Sequence, residues 1–411
     1  MTLRLLHTAD WHVGRTLRGR SRVEEHEATL DALVAVASDQ RVDLVVVAGD
    51  LFDSAAPSPD AERLVYASLL RLAEGGRQVV VIAGNHDHPR RLSAVEPLLE
   101  LARVHLRPFV VAPADGGVLS LNIADTPCQI ALLPWLSQRH AVSADDLLQR
   151  DADQHNQSYL DRVRRIAQVL CGGFGQDSVN LVVGHLTAVG GLLGGGERSA
   201  HTVFDYAVPA SIFPPTASYV ALGHLHRNQR LDGPAPTWYS GSPLQLDFGE
   251  GDNVSSVQVV EVAPGRPARI ETIELRAARQ LRTLIGSLEV IEQLAASVGD
   301  AHLRLVVREP NRAGLAEDVR GRFPNAVDVR IELVDERDRH LGGRDDDGPK
   351  RLGRLPQELF AEFLVAQSIE DERVGALFAR LVDQDASDHD ARDQQDPDQH
   401  DPDQPGASYA T

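Results

Sequence analysis

Residues 42–53 read Val-Asp-Leu-Val-Val-Val-Ala-Gly-Asp-Leu-Phe-Asp, an apolar run over Val42–Ala48 that stops abruptly at Gly49-Asp50. The same grammar recurs along the chain. Leu3–His7 runs toward Asp10-Trp11-His12, and Gln78–Ala83 into Gly84-Asn85-His86-Asp87. Leu181–Val183 runs into Gly184-His185, and Tyr219–Leu222 into Gly223-His224-Leu225-His226. Apolarity that is continuous rather than alternating predicts strands buried on both faces. Amphipathic patterns over Val23–Ser38, with Leu30, Leu33, Val34 and Ala37 on one face, and over Asp60–Ala73 predict helices between the early strands. Strand–helix alternation predicts a layered α/β domain. In an open sheet of that kind the carboxyl ends of the strands meet at one crevice, where ligands bind.

Outward from these turns, the remaining chain divides by composition. Trp238–Phe248 and Ser255–Val262 read as further strands and close a first domain over residues 1–275. Residues 276–336 read as a smaller α+β unit, with strands at Leu303–Val307 and Val327–Val334 and a helix at Leu315–Phe323. Residues 337–354 are rich in Gly, Asp and Arg and read as a linker. The amphipathic segment Pro356–Leu381, inside 355–382, is either a core helix pair or a docking element for a partner helix. Residues 383–411 are low-complexity Asp, Gln and Pro and are expected to be disordered.

The chain has 411 residues and a net charge of −19, of which the final 29 residues carry −8. That acidity argues against indiscriminate coating of nucleic acid. It leaves room for a local phosphate site whose positive charge comes from metal. Of the 41 basic residues 40 are Arg, the side chain best shaped for bidentate phosphate contact. No apolar run approaches the roughly 20 residues that cross a bilayer, so no membrane association is expected. The opening Met-Thr-Leu-Arg-Leu-Leu-His does not read as a signal peptide. Cys128 and Cys171 stand alone and suit a reducing, cytoplasmic setting.

The five polar turns share one composition: Asp, Asn and His beside Gly. These are oxygen and imidazole donors, and there are too many for one ion. A carboxylate such as Asp50 can use both oxygens to bridge two cations roughly 3.5–4 Å apart. Without thiolates the set disfavours structural zinc and suits Mn²⁺ or Fe²⁺.

The order Asp-x-His, Gly-Asp-x-x-Asp, Gly-Asn-His-Asp, Gly-His, Gly-His-x-His resembles the calcineurin-like metallophosphoesterases. More narrowly it resembles the branch of nuclease subunits that act with an SbcC-type coiled-coil ATPase. Residues 10–15, 48–53, 207–213, 219–226 and 239–243 carry that likeness. It covers residues 1–275 strongly, 276–381 weakly, and the tail not at all. The resemblance implies a two-sheet β-sandwich flanked by helices, a small α+β capping domain and a C-terminal helical segment that docks on the partner. It implies a first metal on Asp10, His12, Asp50 and His226, and a second on Asp50, Asn85, His185 and His224, with Mn²⁺ as the expected ion. His86 would face the phosphate as the catalytic imidazole, acting without ligating. Asp87 and Asp53 would lie in the outer shell, Asp87 either offsetting the cations, orienting a neighbouring ring or capping its turn. The implied activity is hydrolysis of DNA by a metal-activated water: 3′–5′ exonuclease on duplex ends and endonuclease on single strands and hairpins. It would serve DNA repair, recombination and replication. A homodimer through the nuclease domain is also implied.

Arg15, Arg18, Arg20 and Arg22 follow the first metal turn and are either a solvated loop or a phosphate-gripping one. Gly190–Gly196 lacks the Lys-Ser/Thr of a nucleotide P-loop and reads as a mobile loop near the site. His140, His155, His201, His302 and His389 have no ligand spacing. Two other functions compete. A small-molecule phosphodiesterase or phosphomonoesterase would use the same metals but needs no appended domain. A non-catalytic scaffold should have lost donors, whereas all are present.

Overall fold

The computed structural model describes residues 2–136, 152–197, 206–310 and 314–333, with no account of the side chains of 152–158 and 333. The amphipathic segment 355–382, the linker 337–354, the acidic tail, and His140, His201 and His389 lie outside the described residues.

Nearly every strand read from the sequence forms. β1 (Leu3–Thr8), β4 (Leu44–Val47), β5 (Gln78–Ile82) and β6 (Val104–Arg107) run parallel in one six-stranded sheet. Between β1 and β4 the chain forms a short hairpin of β2 (Thr16–Leu17) and β3 (Arg20–Ser21). β13 (Ser256–Ala263) joins β1 antiparallel, with Leu5 opposite Val260, and β14 (Arg266–Glu274) forms the edge. The second sheet has the order β11 (Gln229–Leu231), β12 (Thr237–Tyr239), β10 (Tyr219–Gly223), β9 (Val179–His185), β8 (Thr126–Leu133), β7 (Val118–Ile123).

Face-to-face packing explains the continuous apolar runs. One face of each sheet lines a shared core in which Leu5, Val46, Val80 and Ile82 meet Ile130, Leu181, Val183 and Ala221. The alternate residues of the first sheet, Leu6, Val45, Val47 and Val81, pack against α1 (Val23–Asp39), α2 (Pro59–Leu72) and α3 (Pro89–Glu100). Those of the second sheet, Val182, Val220 and Leu222, are covered in a cluster that includes Tyr159, Val163 and Ala167 of α4 (Ala152–Leu170). A strand with no solvent face has no polar residue to spare.

Two expectations change. Trp238–Phe248 does not continue as a strand, because β12 stops at Tyr239. Gly241 turns the backbone to φ 73°, and Ser242 donates through its side chain to the Asp10 carbonyl at 2.8 Å. The Ser240-Gly241-Ser242-Pro243 stretch therefore supports the crevice from below. The small unit, read from the sequence as α+β, is a parallel βαβαβ. It consists of β15 (Leu281–Gly286), α5 (Leu288–Ala295), β16 (His302–Glu309), α6 (Leu315–Arg322) and β17 (Ala326–Leu333). Its own core is built from Leu284, Ile291, Leu305, Val307, Val319 and Phe323. Among the described residues no helix is long and apolar enough to cross a membrane.

Candidate metal centre

The ends of β1, β4, β5, β9 and β10 converge, and the turns that follow are locked to one another. The Asp10 N–H donates to the Gly49 carbonyl (3.0 Å) and the His12 N–H to the Asp50 carbonyl (3.1 Å). The His86 N–H donates to Asp50 Oδ1 (2.8 Å), and the His224 N–H is shared between the two Asp10 carboxylate oxygens at 2.9 and 3.1 Å. Asp10, His12, Asp50 and His224 all hold positive φ, at 55°, 46°, 52° and 106°. Such backbone costs about 1–3 kcal/mol per residue and gathers where function requires it. Glycine permits the approach. A Cβ on Gly84 would lie 2.1 Å from Asp50 Oδ1, and one on Gly49 (φ 89°) would lie 2.4 Å from His185 Nδ1.

All seven expected donors share this pocket. Asp50 Oδ2 lies 3.5 Å from His12 Nε2 on one side and 3.5 Å from His185 Nε2 on the other. His12 Nε2 and His226 Nε2 are 3.2 Å apart. Asn85 Oδ1 sits 3.0 Å from His185 Nε2 and 2.9 Å from His224 Nδ1. Asp10 forms close donor groups with His12 and His226, and with Asp50 and His185.

The outward nitrogens fix the tautomers. His185 Nδ1 meets the Ala48 carbonyl at 2.7 Å, and His226 Nδ1 meets Glu250 Oε1 at 2.7 Å. Each must donate there, so in its neutral form each ring turns an Nε2 lone pair inward. Lone pairs then face lone pairs and carboxylate oxygens, which repel unless a positive charge lies among them. Ligands about 2.0–2.1 Å from one ion lie roughly 3 Å from each other, the spacing seen here. The donor chemistry therefore fits divalent cations.

The protonation equilibria report the same shortage of positive charge. Burial raises the Asp10 carboxyl to about 7. Burial also opposes charge on His185 and His226, but Asp50 beside the first and Glu250 beside the second hold both up to about 9. Asp50 stays ionised despite burial, because His185 and His12 flank it. In the absence of metal, protons take the place of the cations.

His86 stands at the mouth. Its Nδ1 meets the Asp53 carbonyl at 2.8 Å and its ring lies edge-on to His12, with centroids 4.6 Å apart. It also shares a close group with His12 and Asp50. Asp53 reaches toward His12 Nδ1 at 3.8 Å and pairs with Arg15 at 3.1 Å. Asp87 caps turns: its carboxylate accepts from the N–H groups of Gly84, Leu51 and Phe52 at 2.9–3.2 Å. It thereby ties the turns after β4 and β5 together.

The four arginines separate. Arg15 lines the small pocket beside His12, His86 and His226. Arg18 pairs with Asp328 at 3.1 Å and Arg20 donates to the Ala326 carbonyl at 3.3 Å, both in the small unit. Arg22 is buried against Glu25 and the Gln245 carbonyl, so a phosphate contact through Arg22 is corrected to a structural role. His302 lies 3.4 Å from Glu25 in the same joint.

Three residues escaped the sequence reading. Glu250 is 1% exposed and holds His226. Glu197 gathers the N–H groups of Gly194, Gly195, Gly196 and His226 at 2.6–3.2 Å. The glycine loop is therefore near the site, as expected, but these N–H groups face a carboxylate and not a phosphate. Trp135 lies over His224, with centroids 5.0 Å apart. None of the three follows an apolar strand with a Gly-donor signature. The only local hint was that Glu197 and Glu250 each follow a glycine.

The family model for calcineurin-like phosphoesterases matches residues 3–228. The SbcD component of the SbcCD nuclease of Bacillus subtilis is 37% identical over 288 residues, 68% of this chain and 71% of that one. The SbcD component from Rhodobacter capsulatus is 34% identical, covering 65% and 68%. That from Escherichia coli K12 is 32% identical, covering 70% and 72%.

Proposed function

This chain belongs to the calcineurin-like phosphoesterases and, within them, to the SbcD nucleases, and from that premise we propose how its five turns cut DNA. It is a metal-dependent nuclease subunit, a hydrolase of phosphodiesters. The small-molecule and scaffold readings are set aside by these relatives.

The observation that carries the site assignment is Asp50 Oδ2, equally distant from His12 and His185. Asp10, His12, Asp50 and His226 would hold one cation, and Asp50, Asn85, His185 and His224 the other, with Mn²⁺ favoured by the thiolate-free donors. Bound there, two cations neutralise phosphate charge and supply an activated water. The chain's own residues do the rest. With its Nδ1–H donating to the Asp53 carbonyl, a His86 imidazolium would present Nε2–H to the pocket. Nε2 can then donate to the phosphate or the departing oxygen. Arg15, held by Asp53, offers a guanidinium to the DNA backbone at the pocket's edge.

The substrates of this reading are duplex ends cut 3′ to 5′ and single strands and hairpins cut internally, in DNA repair, recombination and replication. The partner is an SbcC-type coiled-coil ATPase, docked by 355–382, with 276–336 capping the DNA and 337–354 as linker. Leu98 and Leu101 at the end of α3 are 68% and 85% exposed, an apolar surface that a second copy would cover in a homodimer. The setting is cytoplasmic, consistent with two free, buried cysteines.

The test uses the full chain with its ATPase partner, Mn²⁺ and linear duplex DNA. His86→Ala should cut the rate by roughly 10²–10⁴-fold while both ions remain bound, because the His86 backbone N–H still serves Asp50. Undiminished cleavage would remove His86 from the mechanism.

A further inference from the structure

The segment 245–253 has two sides, and each grips a different part of the molecule. Toward the crevice, the Glu250 carboxylate accepts from His226 Nδ1 at 2.7 Å and from the Leu246 N–H at 2.7 Å. Toward the small unit, Phe248 packs with Leu281 and Val327, and the Arg304 guanidinium stacks 4.5 Å from the Phe248 ring centroid.

Gln245 ties these sides together. Its Nε2 donates to the carbonyls of Glu250, Gly251 and Asn253 at 3.0, 3.1 and 2.9 Å, which curls the segment. Its Oε1 accepts from the N–H of Leu281, the first residue of β15, at 2.7 Å. Its own carbonyl accepts from buried Arg22. Arg22 in turn pairs with Glu25, whose Oε1 accepts from the Arg279 N–H at 3.0 Å. One buried amide is thus bonded at once to the entry of the small unit and to the backbone that carries Glu250. A cleft of about 560 Å³ beside it, lined by Gln245, Asn253, Gln280 and Ala301, leaves the small unit room to tilt.

We propose that Gln245 is a positioning residue through which the seating of the small unit sets the Glu250–His226 hydrogen bond, and so the affinity of the cation on Asp10, His12 and His226. This rests on the metal assignment made above. A tilt of β15 pulls on Oε1 and the turn uncurls. Glu250 then withdraws from His226, and the imidazole loses the acceptor that aims its Nε2 inward. At the other cation position His185 Nδ1 is held by the Ala48 carbonyl, and Asn85 Oδ1 lies against His185 Nε2 and His224 Nδ1, contacts that do not pass through Glu250.

The experiment is calorimetric titration of Mn²⁺ into the metal-free full chain, with the melting temperature measured alongside. Gln245→Glu keeps the acceptor for Leu281 and removes the donor to the three carbonyls. Glu25→Gln disturbs the joint from the other end without touching Gln245. Each should weaken one site by about three- to tenfold, short of the roughly 10–100-fold expected for losing a ligand's direct partner, and leave the other site unchanged. The double variant should lose less than the product of the two. Unchanged affinities, independent effects, or equal weakening of both sites in step with the melting temperature would overturn the proposal. His226→Ala separates the two layers. If it spares both sites, the metal assignment fails; if it removes one while Gln245→Glu does nothing, the coupling fails.

Discussion

Glu250→Gln is the smallest change that tests the hidden half of the metal centre. The side chain keeps its size, so packing is preserved around a residue that is 1% exposed. Its two oxygens each accept one bond, from His226 Nδ1 and from the Leu246 N–H, both at 2.7 Å. An amide has one acceptor and one donor end. In one orientation its NH₂ faces the Leu246 N–H. In the other it faces His226 Nδ1 and drives the ring proton to Nε2, where it blocks the metal. The first leaves a buried donor facing a donor, a cost of about 1–3 kcal/mol, and the second takes away the nitrogen that would bind the metal. Outer partners of ligating histidines carry about 10–100-fold in metal affinity, equivalent to roughly 1.4–2.8 kcal/mol, so the two routes agree. Mn²⁺ titration of the full chain should show one site weakened by that factor and the other intact. Equal affinities in variant and wild type would refute the idea that Glu250 orients His226.

Two further outcomes are expected. Arg15→Ala should weaken DNA binding uniformly across sequences and reduce the slope of log affinity against log salt by about 1, whereas Arg22→Ala should leave that slope alone and cost on the order of 3 kcal/mol of stability, both read by salt-dependent binding and denaturant titration. Burial holds His7 down to about 3, so it stays neutral in the fold while the unfolded chain takes up a proton below about 6.5; its contribution is complete above that pH and drains away by up to about 1.4 kcal/mol per pH unit as acid is added, and His7→Gln should flatten urea stability between pH 6 and 4, an unchanged slope counting against it.

The strands of the sandwich were legible because burial on both faces leaves a continuous apolar run, as in Leu44–Val47 and Tyr219–Gly223. The donors were legible because each follows such a run, often beside a glycine needed for close approach. What could not be read is what the turns do in space. Asp10, His12, Asp50 and His224 sit at positive φ, a conformation uncommon outside glycine that Asp and His adopt more often than most but that no sequence pattern marks. Glu250 and Glu197 come from loops remote in sequence and meet His226 only through the fold. Arg22 looked like its neighbours Arg18 and Arg20 because spacing carries no information about burial. The strand expected over Trp238–Phe248 overran a Ser-Gly-Ser-Pro turn signal that was present in the sequence. The small unit's first strand and helix, Leu281–Gly286 and Leu288–Ala295, are short and half-exposed, so their pattern is weak.

Electron paramagnetic resonance of the full chain loaded with Mn²⁺, paired with a metal count, is the most direct trial. A shared Asp50 carboxylate requires two ions per chain, roughly 3.5–4 Å apart, with an exchange-coupled spectrum that collapses in Asp50→Asn. A single ion, or a pair whose signals are those of isolated Mn²⁺, would contradict it.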